Sequence, residues 1–276
     1  MIIKSMGISF LFSLSTSCSS INADTDQSSL LKAKEGGGTI LANTKNSELQ
    51  LGNTIANSNA LVALKSVINK NDAGFRVINV LHIGDSHIKS GLYSEPFMQK
   101  LNNYYGQKRK GKLFFNFQWF CKIGTKYSDY NELAELDIQL VKSNPNLVII
   151  SLGTNDAFSG SSHSNFYAKI DHLVQKIHDL APHAAILITT PPDGLKNTGG
   201  YFEALPEMAN VVNTITRYCS DKNIACWNLH QIMGGTYAIN AWYLQKLAAP
   251  DRVHYSAKGY AKFAQWLFDA FVKAMN

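Results

Sequence analysis

The sequence predicts an α/β protein with a central, mainly parallel sheet that is covered by helices. Two apolar runs, Val77–Ile83 and Leu147–Leu152, have the composition of strands that are buried on both faces. The stretch Phe166–Leu180 places its apolar residues at the three- and four-residue spacing of an amphipathic helix. Stretches of these two kinds alternate along the chain, which indicates βαβ units and therefore parallel strands.

Each further element follows from its local pattern. A helix is predicted from Ser58, ahead of the first strand, and we expect residues 195–203, which are rich in glycine and polar side chains, to form a loop. The strands are predicted at Arg76–Ile83, Leu113–Phe120, Leu147–Leu152, Ala184–Thr190 and Ala225–Leu229. The other helices are predicted at Glu95–Tyr105, Tyr130–Val141, Phe166–Leu180, Leu205–Tyr218, Ala238–Leu247 and Lys258–Met275.

The start of the chain has the features of an export signal. Lys4 supplies a positive charge, and Ile8–Leu14 is an apolar run that is too short to span a bilayer. Cys18 follows small residues and resembles the lipidated cysteine of a bacterial lipoprotein signal; cleavage after Ala23 is the alternative. The predicted organisation is a signal peptide at residues 1–17, a flexible arm at 18–55 and one folded domain at 56–276.

The chain is mildly basic, with a formal net charge of +6 and a pI near 9.0. Its basic cluster, residues 108–112, is either a solvated loop or a site of attraction to an anionic surface or polymer such as a cell-wall glycan. No recognition motif accompanies this charge, so we expect no nucleic-acid partner. We expect the protein in the periplasm or at the cell surface, with a membrane contact only through a lipid on Cys18.

The cysteines do not have the spacing of a metal site. Cys121, Cys219 and Cys226 form no C-x-x-C or Cys/His set, and we expect no metal. Export would permit a disulfide between Cys219 and Cys226, and the alternative is a pair of buried thiols. Cys121 is expected to fill space in the core.

Ser86 has the position of a nucleophile. It follows the first predicted strand, on a turn that opens a helix, and ligands bind at such strand ends in open α/β sheets. The segment Gly84-Asp85-Ser86 is also a common turn and helix cap, so the serine alone does not establish a site. A serine hydroxyl needs a base within hydrogen-bond reach.

Among the eight histidines, His254 has the best pattern for that base. The carboxylate of Asp251, three residues upstream, can accept the imidazole Nδ1–H and leave Nε2 facing the serine. His87 is adjacent to Ser86, but we expect its side chain to point elsewhere on the turn. His230 follows a strand without a paired carboxylate motif.

An oxyanion hole needs two or three hydrogen-bond donors. The candidates are the Ser86 N–H, the Gly124 N–H in a loop after a strand, and the side-chain amide of Asn155. Asn155 is otherwise a turn residue. We expect Asp85 to bond the backbone around Ser86 and Asp156 to cap the helix that follows it.

The order of these segments resembles the SGNH hydrolases, also called the GDSL esterase/lipase family. Gly84-Asp85-Ser86, Gly124, Gly153-Thr154-Asn155-Asp156, and Asp251 with His254 match its four blocks in sequence order. The resemblance implies a three-layer α/β/α sandwich with a flavodoxin-like sheet and an acyl-transfer reaction without a cofactor. It further implies Ser86, His254 and Asp251 as nucleophile, base and orienter, and Ser86, Gly124 and Asn155 as the oxyanion hole.

The stretch Val80–Gly91 is similar to the branch of this family that contains peptidoglycan O-acetylesterases, as are Thr190–Asp193, Met233–Gly235 and Trp242. This resemblance implies an acetylated glycan or another small ester as substrate. The alternatives are a lipase or thioesterase and a non-catalytic surface glycan-binding protein. The polar loops at 159–164 and 195–200 favour a carbohydrate over a lipid. The residues expected either to face the sugar or to pack in the core are Tyr201, Tyr237, Trp242 and Tyr243.

Overall fold

The computed structural model describes residues 52–70, 74–160 and 165–276. The predicted signal peptide, Cys18 and nearly all of the predicted arm lie outside these residues. The strands are β1 (Arg76–Gly84), β2 (Leu113–Cys121), β3 (Leu147–Ser151), β4 (Ala185–Thr189), β5 (Leu195–Thr198), β6 (Tyr201–Ala204) and β7 (Ala225–Trp227). The first helices are a 3₁₀ turn (Ser58–Leu61), α1 (Val62–Asn69), α2 (Ser86–Lys89), α3 (Ser94–Lys108), α4 (Tyr127–Asn131) and α5 (Ala134–Ser143). The later ones are α6 (Thr154–Phe158), α7 (Phe166–Leu180), α8 (Pro206–Lys222), α9 (Leu229–Ile232), α10 (Ala238–Leu244) and α11 (Ala257–Met275).

The central sheet is fully parallel, with its strands in the order β2-β1-β3-β4-β7. Counted within this sheet alone the order is 2-1-3-4-5, which is the flavodoxin-like arrangement. The chain passes from β1 to β2 on one side and later returns to β3 on the other. Such a reversal opens a crevice at the carboxyl ends of β1 and β3, where ligands bind in this class of sheet.

Two apolar layers enclose the sheet and confirm the predicted α/β/α sandwich. On one face α1, α3 and α11 cover β1 residues such as Ile78 and Val80. On the other face α5, α7 and α8 cover Leu81 and Ile83. The alternation of neighbouring β1 residues between the two clusters is the two-residue period of a strand that is buried on both sides.

The predicted helix at 130–141 is two helices. Helix α4 ends at Asn131, Leu133 is extended, and α5 begins at Ala134. The break lets the Tyr130 hydroxyl donate to the Gly84 carbonyl at 2.5 Å while α5 packs on the sheet. A tertiary hydrogen bond of this kind is not visible in local periodicity.

The predicted loop at 195–203 is an antiparallel hairpin of β5 and β6. The pair Gly199-Gly200 connects the strands, and both glycines have positive φ angles, 61° and 94°. A two-residue hairpin turn requires such angles, and glycine adopts them without strain. The glycines that favoured a loop prediction are therefore the turn of a hairpin.

Residues 52–55, the last of the predicted arm, pack against the domain. The Asn53 side chain donates to the Trp266 carbonyl at 2.8 Å and accepts from the Trp227 indole N–H at 2.9 Å. Ile55 is buried, and Ala56 forms an antiparallel bridge with Cys226 beside β7. The folded part of the chain therefore begins before residue 56.

A helix side chain occupies part of the outer edge of β2. The side-chain amide of Asn102, on α3, donates to the Phe115 carbonyl at 3.0 Å and accepts from the Phe115 N–H at 2.7 Å. These are the two hydrogen bonds that a neighbouring strand would make.

The cysteines of the described chain, Cys121, Cys219 and Cys226, are free thiols. Cys219 and Cys226 are therefore a pair of buried thiols in the structure and do not form the disulfide that was the other possibility. Across residues 52–70, 74–160 and 165–276, no helix is long and apolar enough to cross a membrane.

Candidate active site

Ser86 lies at the first turn of α2, directly after the carboxyl end of β1. Asp85 caps this helix, because its Oδ1 accepts the His87 N–H at 3.0 Å, which is the backbone contact predicted for it. Gly84 allows β1 to approach β3 closely, since a Cβ at this position would lie 2.8 Å from the Ser151 carbonyl oxygen. The close approach of β1 and β3 therefore requires glycine immediately before Asp85 and Ser86.

The structure brings Ser86, His254 and Asp251 together. Ser86 Oγ lies 2.9 Å from His254 Nε2, and His254 Nδ1 lies 2.7 Å from Asp251 Oδ2. The other carboxylate oxygen, Asp251 Oδ1, accepts the N–H groups of Val253 and His254, each at 2.9 Å. This chain of contacts joins residues that are 168 positions apart in sequence. Its order is that of a nucleophile, a base and an orienting carboxylate.

The Asp251 carboxylate is held in its charged form. Partial burial raises the pKa of Asp251, but hydrogen bonds from the His254 ring and from the backbone of His254 and Val253 outweigh burial. The net result is a pKa below the usual range of an aspartate. An ionised carboxylate at Nδ1 fixes the tautomer that leaves Nε2 as the acceptor of the serine proton.

Arg252 anchors the loop that carries Asp251 and His254. Its guanidinium stacks on the Tyr243 ring, 3.2 Å from the centroid, and its Nε donates to Asn240 Oδ1 at 3.2 Å. Arg252 has a positive φ of 55°, a conformation that costs a side-chain-bearing residue about 1–2 kcal/mol. We infer that the stacking and the hydrogen bond help to offset this cost. No pattern in the sequence indicates this role of Arg252.

The β5–β6 hairpin contacts the same loop. The Leu195 N–H donates to the Arg252 carbonyl at 2.8 Å, and the Phe202 ring centroid lies 5.0 Å from the Arg252 guanidinium carbon. The segment predicted as a loop is therefore a hairpin that contacts the loop of Asp251 and His254.

Asn155 links the segments that carry the predicted oxyanion donors. The Asn155 amide Nδ2 donates to Asp85 Oδ2 at 3.2 Å and to the Thr125 carbonyl at 3.0 Å. Thr125 is the neighbour of Gly124, and Asp85 is the neighbour of Ser86. Through these contacts the loop after β2, the start of α6 and the turn after β1 are linked.

The predicted backbone donors, the N–H groups of Ser86 and Gly124, form no hydrogen bond within the part of the chain that the structure describes. Ser86 N–H belongs to the first turn of a helix, whose N–H groups have no carbonyl one turn earlier. Gly124 is exposed with a positive φ of 74°, and its N–H has no hydrogen-bond acceptor among the described residues. Both groups can therefore donate to a bound oxygen atom.

Two buried carboxyls lie behind Ser86. Burial raises the pKa of Asp85 to about 7, against the opposing effects of the His87 N–H and of His254. Burial also raises the pKa of Asp156 to about 6. The prediction that Asp156 caps the helix that follows it is wrong. Asp156 lies in the first turn of α6, and its Oδ2 accepts the Tyr127 N–H at 3.3 Å at the start of α4. The α4 contact is tertiary, between residues 29 positions apart.

The histidines on either side of Ser86 are buried and do not contact its hydroxyl. His87 Nδ1 lies 3.0 Å from the Tyr260 hydroxyl, and His82 bridges the hydroxyls of Ser94 and Ser151 at 2.9 and 2.8 Å. Burial lowers the pKa of both histidines to about 3, so both rings are neutral. As predicted, the sequence neighbour of Ser86 is not its hydrogen-bond partner.

A second histidine–carboxylate pair lies beside the site. His230 Nε2 is 3.8 Å from Asp193 Oδ1, although no motif in the sequence pairs these residues. Asp193 is buried, and its Oδ2 accepts the Ile239 N–H at 3.0 Å while its carbonyl accepts from the Tyr255 hydroxyl at 2.7 Å. Through these bonds Asp193 connects the loop after β4 to α10 and to Tyr255, the residue after His254.

For four aromatic residues the sequence allows either contact with a sugar or packing in the core, and the structure divides them into two groups. Trp242 is buried against Trp266, and the face of Tyr243 is covered by Arg252, so these two have packing roles. Tyr201 and Tyr237 are exposed, with 74% and 52% of their surface accessible. Only these two remain candidates for substrate contact.

No group of three or more His, Cys, Asp or Glu side chains that could hold a metal ion occurs in the described part of the chain. The site is built from a serine, a histidine, a carboxylate and neutral N–H donors at the carboxyl ends of parallel strands. This is the arrangement of a serine hydrolase on an α/β sheet.

The chain belongs to the family of GDSL-like lipases and acylhydrolases, whose family model matches residues 80–267. The resemblance found in the sequence is thereby confirmed, and the protein is an ester hydrolase of this family. A comparison with curated protein sequences found no significant match.

Solved structures share the fold at low sequence identity. A structure described as "Peptidoglycan O-acetylesterase in action" has a TM-score of 0.67 and 18% identity, over 78% of this chain and 95% of that one. The acetyl xylan esterase AlAXEase has a TM-score of 0.55 and 19% identity, over 70% and 99% of the two chains. A catalytic mutant of Axe2, an acetylxylan esterase from Geobacillus stearothermophilus, has a TM-score of 0.55 and 17% identity, over 75% and 97%. At these identities the comparison establishes the common fold.

Proposed function

We propose that this protein is a serine acetylesterase that removes O-acetyl groups from a carbohydrate through an acyl-serine intermediate. The observation that carries the proposal is the continuous chain of hydrogen bonds from Ser86 Oγ through His254 to Asp251, at 2.9 and 2.7 Å. The acetylesterases among the structures of the same fold support the choice of acyl group. Peptidoglycan is the first glycan to test.

In the first half of the reaction, Ser86 Oγ forms a bond to the ester carbonyl carbon while its proton passes to His254 Nε2. The carbonyl oxygen becomes an oxyanion, which accepts hydrogen bonds from the Ser86 and Gly124 N–H groups and the Asn155 amide. The bond from the carbonyl carbon to the sugar oxygen then breaks, and His254 returns the proton to that oxygen. The deacylated sugar leaves and the acetyl group remains on Ser86.

In the second half, a water molecule attacks the acetyl carbon and gives a proton to His254. The bond to Ser86 Oγ breaks, the serine takes the proton from His254, and acetic acid leaves and ionises to acetate in solvent. Asp251 keeps its negative charge throughout and stabilises the imidazolium of each half-reaction. None of these steps needs a metal or an organic cofactor.

Asn155 must change partners for this reaction. Its amide donates to Asp85 and to the Thr125 carbonyl, so an oxyanion has to share or replace one of these bonds. We assign the hydrogen that faces the Thr125 carbonyl to the oxyanion, so that the bond to the Asp85 carboxyl continues to orient the amide.

Exposed apolar side chains near the oxyanion loop favour a second candidate, a lipase or thioesterase. Ile123, next to Gly124, has 63% of its surface accessible, and Phe158, at the end of α6, has 37%. A longer acyl chain would find apolar contacts there. Against this, the hairpin beside the His254 loop presents the polar residues Lys196, Asn197 and Thr198 to solvent.

The deciding experiment measures acetate released from O-acetylated peptidoglycan and acetylated xylan, beside hydrolysis of a long-chain ester. The proposal expects release from at least one glycan, and turnover of only the long-chain ester would establish the second candidate. Ser86→Ala should abolish turnover of p-nitrophenyl acetate, whereas Ser90→Ala, an exposed serine just after the same helix, should retain it. Full activity of Ser86→Ala would overturn the mechanism, whereas absence of turnover of every ester by the unmodified chain would leave a glycan-binding protein as the alternative.

Export and a lipid on Cys18 remain part of the proposal. They depend on residues 1–51, which lie outside the described residues. Labelling of the cells with a radioactive fatty acid tests the lipid: Cys18→Ala should remove the label if Cys18 is modified. Retention of the label by this variant would contradict the assignment.

A further inference from the structure

A mixed basic and apolar surface lies at the amino-terminal ends of β1 and β2. The Arg76 N–H donates to the Lys112 carbonyl at 2.9 Å, and Val77 is paired with Phe114 in the sheet register, so the two strand starts are adjacent. Phe75, Val77 and Phe114 have 65%, 43% and 45% of their surfaces accessible. We call this region the basal surface; its residues are Phe75, Val77, Lys108, Lys110, Lys112 and Phe114.

The charge of the basal surface is strongly one-sided. Residues 108–112, at its edge, include four Lys or Arg residues and no Asp or Glu. Lys110 and Lys112 are exposed, and neither forms an ion pair within the described ranges. A positive potential therefore extends into solvent beside exposed phenylalanine rings.

Contacts within the fold explain the positions of Lys108 and Arg109 but not those of Lys110 and Lys112. Arg109 Nη2 donates to Asn69 Oδ1 at 2.8 Å, and Lys108 Nζ donates to Asn276 Oδ1 at 2.8 Å. These bonds tie the carboxyl ends of three helices together, where cations are favoured by the helix dipoles. The side chains of Lys110 and Lys112 form no such bond among the described residues. The exposed rings of Phe75 and Phe114 take no part in joining the helix ends.

The basal surface is remote from the esterase site. Ser86 follows the carboxyl end of β1 and the basal surface lies at its amino end. A strand of nine residues spans about 26 Å at roughly 3.3 Å per residue. The basal surface therefore cannot be a subsite for the ester group, and its function goes beyond the proposed reaction.

We propose that the basal surface docks the protein on an anionic phospholipid bilayer. The ammonium groups of Lys110 and Lys112 lie among the lipid phosphates, and the rings of Phe75 and Phe114 enter the boundary between headgroups and acyl chains. Basic residues beside exposed aromatic rings are the combination that binds such interfaces. A dissolved anionic polymer would match the lysines but would provide no apolar phase for the phenylalanines. In the docked orientation the Ser86 site faces away from the bilayer.

Cosedimentation of the full chain with lipid vesicles tests the charged component. The comparison uses Lys110→Gln/Lys112→Gln against the matched control Lys196→Gln/Lys258→Gln, two exposed lysines on the carboxyl side of the sheet. Each lysine contributes about fivefold to partitioning onto anionic lipid, so the basal variant should bind vesicles of phosphatidylcholine with phosphatidylglycerol roughly 25-fold more weakly than the control. On pure phosphatidylcholine the two should bind equally. Equal binding to the anionic vesicles would overturn the proposal.

A second measurement reports the contact itself and is independent of any other membrane anchor. Phe75→Trp, on vesicles with brominated acyl chains, should lose tryptophan fluorescence relative to the unmodified chain, whereas the control Tyr201→Trp should not. If Phe75→Trp is not quenched, while soluble dextran sulfate binds the chain and releases it from the vesicles, the basal surface binds anionic polymers and the bilayer proposal is wrong. Turnover of p-nitrophenyl acetate in solution should be unchanged by Lys110→Gln/Lys112→Gln.

Discussion

The side-chain amide of Asn155 donates to the carboxyl of Asp85, with Nδ2 3.2 Å from Oδ2. The other carboxyl oxygen of Asp85 accepts the His87 N–H at 3.0 Å. One buried carboxyl therefore connects the predicted oxyanion donor to the turn that holds Ser86. In the proposed mechanism Asp85 is a positioning residue, because it acts through Asn155 and does not touch the ester.

This link predicts the effect of Asp85→Asn. The asparagine has one acceptor oxygen where the carboxylate has two, so it must lose the bond from either His87 or Asn155. We expect kcat for p-nitrophenyl acetate to fall by up to about 10²-fold, with KM little changed, since loss of one oxyanion donor costs about 10²–10³. Steady-state kinetics with purified enzyme provides the measurement.

A double variant distinguishes positioning from a separate role. Asn155→Ala alone should lower kcat by about 10²–10³. If Asp85 acts only through Asn155, Asp85→Asn/Asn155→Ala should be no slower than Asn155→Ala, because effects that share one route are not additive. A further tenfold loss in the double variant would show that Asp85 contributes in another way.

The buried Asp156 predicts a pH-dependent stability difference. Its pKa is raised from 3.8 to about 6, chiefly by burial, so the folded state binds this proton more tightly than the unfolded state. The stability that the protonated carboxyl contributes is complete below pH 3.8 and is lost as the pH rises through 6. Asp156→Asn keeps an acceptor for the Tyr127 N–H and cannot ionise. Relative to the unmodified chain it should gain up to about 3 kcal/mol between pH 4 and pH 7, at 1.36 kcal/mol per pKa unit.

Urea unfolding at pH 4 and pH 7 measures this difference. Asp179→Asn is the control, because Asp179 is exposed on α7. A gain for Asp156→Asn that is the same at both pH values would mean that Asp156 is not the titrating group. In the unmodified chain His82 and His87, whose pKa values burial lowers to about 3, act in the opposite direction, so its own stability should change less between pH 4 and pH 6.

Arg252 predicts a loss of activity from a residue that does not contact Ser86. Arg252→Ala removes the stacking on Tyr243 and the bond to Asn240, while the positive φ of the residue remains. The His254 loop should then shift, and a displacement of about 1 Å at reacting groups can cost 10²-fold. We expect kcat to fall roughly 10- to 100-fold. Arg252→Lys, which cannot stack as a planar group, should restore only part of it.

The experiment measures kcat for both variants together with their melting temperatures. If the melting temperature falls but kcat is unchanged, Arg252 stabilises the fold without positioning His254. The control is Arg217→Ala, whose guanidinium lies over the Tyr167 ring on the exposed side of α8. That variant should retain full activity.

Two glycines of the site should respond to alanine for different physical reasons. In Gly84→Ala the new Cβ would lie 2.8 Å from the Ser151 carbonyl oxygen and 3.0 Å from Ile88, so the strands must move apart at a cost of about 1–3 kcal/mol. In Gly124→Ala the Cβ has no neighbour within 4 Å, and the cost is the strain of a positive φ, roughly 1–2 kcal/mol.

Activity separates the two variants more clearly than stability does. Gly84→Ala displaces the turn of Ser86 and should lower kcat at least tenfold. Gly124→Ala keeps its N–H in place and should stay within tenfold of the unmodified enzyme. A severe kinetic defect in a folded Gly124→Ala protein would indicate that the substrate needs the space beside this glycine.

Sequence analysis predicted the features that depend on local pattern. The apolar runs of β1 and β3 and the helix at 166–180 were predicted to within one residue at most ends, because burial on both faces leaves an unbroken apolar signature. The contacts among Ser86, Asp251 and His254 were also anticipated, from the position of Ser86 after a strand, the three-residue spacing of Asp251 and His254, and the resemblance to the SGNH hydrolases. The family model matches residues 80–267, a range that contains these three residues.

What could not be predicted depends on contacts between distant segments. The stacking of Arg252 on Tyr243, the burial of Trp242 and the pairing of His230 with Asp193 leave no periodic trace in the sequence. The hairpin at 195–204 was missed because its two glycines indicate a loop as readily as a tight turn. The partners of Asp156 and Tyr130 likewise come from other parts of the chain.

The side chain of Asn102 has a consequence for the behaviour of the protein at high concentration. An exposed edge strand offers its N–H and carbonyl groups to any extended peptide, and this is a common route to aggregation. At Phe115 both groups are already bonded to Asn102, so an incoming strand would have to displace a preformed pair. Growth of the sheet by addition of a foreign strand is therefore obstructed at this point on β2, without a charged residue or proline in the strand itself.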